Sequence, residues 1–68
     1  VAVDRLVLSD VRAAIDRLPD EQREVLLLIC GEEMTYREAA ELIGVPVGTV
    51  MSRLARARQR LVEMTEAA

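Results

Sequence analysis

The chain has 68 residues, a net charge of −3, one cysteine and no histidine. That length makes it one domain at most, and a domain this small is marginal because it buries only about 60% of the surface its unfolded chain exposes. A lone Cys30 excludes an intrachain disulfide and leaves no ligand set for structural zinc, and the missing histidine removes the commonest general base.

With no Phe or Trp, the core must be aliphatic, built from Leu, Val, Ile and Ala. No apolar run reaches the length needed to span a membrane, and no signal peptide is visible, so a reducing, cytoplasmic location is expected. The first residue is Val1 and not Met, so residues 1–68 are expected to be one domain of a longer protein.

Val3, Val7, Val11, Ile15 and Leu18 recur at helical spacing, and Leu6 and Ala14 broaden the stripe. Asp4, Arg5, Asp10, Arg12, Asp16 and Arg17 fill the other face, so the first element is an amphipathic helix. Pro19 ends it and opens the next helix from its first turn, where no N–H is needed. Asp20 and Glu21 then complement the dipole of that second helix.

The second helix is expected to run to about Cys30, with Gly31 as its C-terminal cap. Val25-Leu26-Leu27-Leu28-Ile29-Cys30 is apolar all round, as in a helix central to the core or one that reserves a side for a partner. Cys30 is expected to fill the core. Gly31 to Met34 form a loop.

Thr35-Tyr36-Arg37-Glu38 has the spacing of a capping box and sets the start of a third helix that ends at Ile43. Tyr36, Ala39, Ala40 and Ile43 share its inner face, with Tyr36 as an anchor. Gly44 supplies the positive φ of a sharp corner, and Pro46 cannot continue the helix.

The fourth helix starts near Val47. At about 100° per residue, Val50, Leu54, Ala57 and Leu61 fall in one apolar arc. Thr49, Ser52, Arg53, Arg56 and Arg60 share a different face, and Arg58 lies nearly opposite it. The fold class is therefore all-α: a small four-helix domain whose third and fourth helices form a helix-turn-helix.

Charge is distributed unevenly along the chain. Residues 1–48 hold five Arg against ten Asp and Glu, a net of −5, whereas residues 49–62 hold four Arg and no acid. Glu63 and Glu66 make the end acidic again. A basic block on an acidic background points to phosphate, and in a helix-turn-helix the second helix reads the major groove of double-stranded DNA with its N-terminal half. That half offers Thr49, Ser52, Arg53 and Arg56; Arg pairs bidentately with guanine. The helix-start N–H groups of Val47, Gly48 and Thr49 can hold a phosphate, and Gly48 allows it close. The plainer alternative is that the arginines only solvate a helix face. Capping box, small residue, glycine turn and unmixed basic stripe in this order favour DNA.

An enzyme is not expected. Cys30, Ser52 and Thr49 have no adjacent base, and the methionines form no cofactor pattern. No cofactor or metal is called for.

Leu18-Pro19, Arg23-Glu24-Val25, Thr35-Tyr36-Arg37-Glu38-Ala39-Ala40 and the run from Val45 to Arg58 together resemble region 4 of bacterial RNA polymerase sigma factors of the sigma-70 family. The group most similar is the extracytoplasmic-function (ECF) sigma factors. The resemblance implies recognition of the −35 promoter element, docking on the β flap of core RNA polymerase, and masking by an anti-sigma factor. It implies DNA contacts at Ser52, Arg53 and Arg56, and a helix-start position near the backbone for Thr49. Arg53 and Arg56 are expected to make base or near-base contacts, and Arg60 and Thr49 mainly to hold phosphate.

Met51 stands where the family often has Lys or Arg, Ala55 where it can have an aromatic residue, and Ile29 where some members place a backbone-contacting Arg. Two other readings stay open: a sigma-like decoy that binds an anti-sigma factor, and the effector domain of a response regulator.

Overall fold

Four helical segments make up the computed structural model, which describes residues 11–66, and no strand occurs among the described residues. The first, α1, is helical over 11–16. Its Ala14, together with Leu18 just beyond it, is buried, and Ile15 packs against the core. The expected stripe positions Val3, Leu6 and Val7 lie outside the described residues. The end of α1 tightens into short-range bonds, Arg17 N–H to Ala14 at 3.1 Å and Leu18 N–H to Ile15 at 3.1 Å.

Pro19 stands one position earlier than expected, as the N-cap of α2 (Asp20–Leu26) and not inside its first turn. Its carbonyl accepts from the Gln22 and Arg23 N–H groups. A proline has no side-chain acceptor for capping, and the acidic pair Asp20 and Glu21 complements the helix dipole instead. Arg23 ties the corner together. Its Nη1 donates to the Asp16 carbonyl at 3.1 Å and the Leu18 carbonyl at 3.4 Å, and its Nη2 reaches the Asp20 carboxylate at 2.6 Å. One side chain thus serves carbonyls that the end of α1 leaves open.

The expectation of a regular helix to Cys30 capped by Gly31 is corrected. After Leu26 the chain widens into a π turn over Leu27–Gly31, with Glu32 N–H donating to the Leu27 carbonyl at 2.9 Å. Gly31 lies inside that turn, and the left-handed residue of the following loop is Glu33, at φ 57°. The apolar run is split accordingly. Val25 and Leu26 are buried, and Leu28 and Ile29 pack against the core. Leu27 is 48% exposed, and Cys30, expected as core filler, is also exposed.

The capping box at α3 (Tyr36–Ile43) is formed in both directions. Thr35 Oγ1 accepts from Glu38 N–H, and Glu38 Oε1 accepts from Thr35 N–H. Ala39 and Ala40 are buried and Ile43 is half-buried, as their spacing predicts. Tyr36 is further out than an inner-face anchor, at 37% exposure. The helix ends on Gly44 at φ 83°, where the Ala40 carbonyl accepts from both Gly44 N–H (2.8 Å) and Val45 N–H (3.1 Å). This left-handed cap makes the corner into the last helix.

α4 (Val47–Glu66) has 20 residues and extends about 30 Å. Both α2 and α3 pack on it. Its Val50, Leu54 and Ala57 meet Leu18, Val25, Leu26, Ala39 and Ala40 in one aliphatic core. The three alanines in that core are small enough to let helix backbones approach, which positions α3 against α4.

Candidate nucleic-acid interface

Burial divides α4 into faces. Val50 and Ala57 are fully buried and Leu54 is 2% exposed, so this line faces the core. Thr49 and Arg53 are half-buried. Val47, Gly48, Ser52, Arg56, Arg58 and Arg60 are exposed. At about 100° per residue, Ser52, Ala55 and Gln59 lie opposite the core line. Thr49, Arg53 and Arg60 fall on the flank toward α2, with Arg56 between that flank and the outer pole. Arg58 and Met51 fall on the other flank. The stripe expected from helical phase therefore exists, but it runs from the α2–α4 seam outward.

Two observations locate that seam. Arg53 Nη2 lies 3.6 Å from Glu21 Oε2, across the helices. A groove of about 220 Å³ is lined by Gln22, Arg56, Gln59, Arg60 and Glu63. Arg58 is not part of its lining, in agreement with its helical phase. Among the described residues Arg56, Arg58 and Arg60 have no ion-pair partner, so their charges remain available to an external anion.

The start of α4 offers fewer donors than expected. Thr49 N–H donates to the Pro46 carbonyl at 3.0 Å, which removes it from the set. No carbonyl among the described residues accepts from Val47 or Gly48 N–H, and those two point out of the first turn. A Cβ built on Gly48 meets nothing within 4 Å, so packing does not require glycine there. Ser52 Oγ donates to the Thr49 carbonyl at 3.3 Å, a bond easily exchanged for an outside partner.

Sequence reasoning missed Glu21, Gln22 and Gln59. Its place in the first turn of α2 makes Glu21 a dipole complement, and its approach to Arg53 is a contact between helices that no local pattern encodes. Gln59 could have been found by phase, since it lies on the outer pole with Ser52.

Met51 (50% exposed) and Ala55 are both at the surface, where the resemblance places longer side chains, and Ile29 is half-buried. Among the described residues no group of three or more His, Cys, Asp or Glu is placed to hold a metal, and no helix is long and apolar enough to cross a membrane.

The family model for sigma-70 region 4 matches residues 8–61. The ECF RNA polymerase sigma factor EcfG of Rhodopseudomonas palustris is 45% identical over 56 residues, 82% of this chain and 31% of that protein. RNA polymerase sigma factor HrpL of Pseudomonas syringae is 42% identical over 59 residues, 87% of this chain and 32% of its own length. ECF RNA polymerase sigma factor SigW of Bacillus subtilis is 39% identical over 61 residues, 88% of this chain and 33% of that protein. The chain spans about a third of the length of the curated relatives it matches. An all-helical domain with a helix-turn-helix at its end, a match over most of the chain and these relatives lead to one assignment: the chain belongs to the sigma-70 region 4 family.

Proposed function

We propose that residues 1–68 act as the promoter-reading domain of a longer sigma factor, with α4 in the major groove of the −35 element while the domain is docked on the β flap of core RNA polymerase. The observation that carries this reading is the exposed basic edge of α4, where Arg56 and Arg60 have no ion-pair partner among the described residues. They lie beside Ser52 on the second helix of a helix-turn-helix, in a chain that is acidic elsewhere.

The roles divide by position. Val47 and Gly48 N–H, with Thr49 beside them, hold a phosphate at the helix start. Ser52, Arg53 and Arg56 reach base edges or the sugar-phosphate next to them. Arg60, more than a turn further along, holds phosphate.

The acidic remainder weakens binding by the isolated domain, because it repels the same phosphates. Tethering to polymerase offsets this, since a short linker raises the effective concentration at the site to about the millimolar range. Masking by an anti-sigma factor belongs to the same reading, and its surface would include the exposed Leu27.

The test uses the full-length protein with core polymerase on promoter DNA. Arg53→Ala and Arg56→Ala each cost about 1–3 kcal/mol of promoter binding and relax preference at one base pair. Unchanged promoter binding in both variants overturns the assignment. Specific binding that needs no core polymerase favours a response-regulator effector domain instead, and absence of any promoter binding favours a decoy.

A further inference from the structure

Two carboxylates open α2, and they are used differently. Asp20 is engaged by Arg23 at 2.6 Å, within its own helix. Glu21 instead faces α4, and its Oε2 lies 3.6 Å from Arg53 Nη2. The Arg53 side chain is 25% exposed and that of Glu21 is 64% exposed. Arg53 is thus the one arginine among Arg53, Arg56, Arg58 and Arg60 that a carboxylate holds among the described residues.

The distance matters. At 3.6 Å the contact is charge attraction and not a hydrogen bond. It steers the guanidinium without committing its N–H donors, all five of which stay available for a bidentate contact. The partly buried stem and the anion beside it also narrow the rotamers of a side chain that is otherwise costly to order.

We propose that Glu21 is a positioning residue for DNA readout: its carboxylate holds the Arg53 guanidinium at the α2–α4 seam in the orientation from which Arg53 addresses one base pair, and so sharpens selectivity there. This rests on the reading of Arg53 as a DNA contact. It extends the reading surface to α2, a helix outside the helix-turn-helix. A carboxylate beside DNA weakens attraction to phosphate on every sequence alike, whereas steering of Arg53 changes the ratio between bases at a single position. The two effects are separable.

The experiment selects promoter DNA randomised across the −35 element with the full-length protein bound to core polymerase. Wild type, Glu21→Gln, Arg53→Ala and the double variant are compared by sequencing bound and unbound pools. Glutamine keeps the shape of Glu21 and removes its charge. The expected result is a loss of base preference of about 1.5- to 5-fold in Glu21→Gln, the range of an exposed ion pair, confined to the base pair that Arg53→Ala flattens. The double variant is then no flatter than Arg53→Ala alone. A uniform change in affinity, up or down, with the ratios between bases intact overturns the inference, because repulsion or general loss of structure acts on all sequences equally. An altered Arg53→Ala profile beside an unaltered Glu21→Gln profile overturns this inference alone. A flat response to Arg53→Ala overturns the reading of Arg53 and the inference together.

Discussion

Thr35 and Glu38 satisfy each other across the first turn of α3: the hydroxyl of Thr35 accepts from Glu38 N–H at 3.0 Å, and the carboxylate of Glu38 accepts from Thr35 N–H at 2.9 Å. The Thr35 backbone N–H first, and the Thr35 side chain beside it second, hold the Glu38 carboxyl below its ordinary value of 4.5. A depressed folded value means that the stabilisation is complete above pH 4.5 and is lost as pH falls through the folded value. An NMR titration of the Glu38 carboxyl should therefore give a midpoint below 4.5. In Thr35→Ala the midpoint moves only part of the way back, since the backbone donor remains, and the domain loses about 1 kcal/mol. A wild-type midpoint at the ordinary value would contradict the cap.

The glycines separate fold from function. Gly44 sits at φ 83°, so Gly44→Ala is strained and should cost about 1–2 kcal/mol in urea unfolding. Gly48 has no positive φ, and an added Cβ meets nothing within 4 Å. Gly48→Ala should leave stability equal or up to about 1 kcal/mol higher, while promoter affinity falls if a phosphate approaches the helix start. A loss of stability in Gly48→Ala, or intact affinity, would count against that helix-start site.

Leu54 joins the faces of α2 and α3 to α4 and is 2% exposed. Leu54→Ala should cost about 2–5 kcal/mol, which leaves so small a domain substantially unfolded at 25 °C. Leu42, at 63% exposure, provides the control. Leu42→Ala should stay within about 0.5 kcal/mol of wild type. Circular dichroism with urea titration reads both.

Arg60 lines the groove beside Arg56, and Arg58 does not. Arg60→Ala should weaken binding to all sequences alike and lower the slope of log affinity against log salt by about one unit. Arg58→Ala should change that slope less. Equal slopes for the two variants would remove the distinction that helical phase draws between them.

Several of these features were legible because they are local. The Thr35-x-x-Glu38 box, the left-handed Gly44 and the Val50–Leu54–Ala57 line each depend on spacing within one helix or turn. The start of α4 at Val47 and the end of α3 at Ile43 follow from the same logic. The four-helix class and the helix-turn-helix came from adding such pieces in order.

What escaped was set by partners distant in sequence or by backbone geometry that periodicity cannot register. The π turn at Leu27–Gly31 shifts the helical phase, so a run that is apolar all round gave no warning that Cys30 faces solvent. Thr49 N–H is a free helix-start donor by spacing alone, and it is the turn that sets the Pro46 carbonyl against it.

By itself, the sequence determined which face of α4 is apolar and which is basic, because a helix of regular pitch needs only residue order to assign its sides. Only the tertiary structure decided what stands beside each basic residue. The packing of α2 on α4 brings Glu21 to Arg53 and leaves Arg56 and Arg60 open along a groove, and a charge is governed by its neighbours in space, not by its neighbours in the chain.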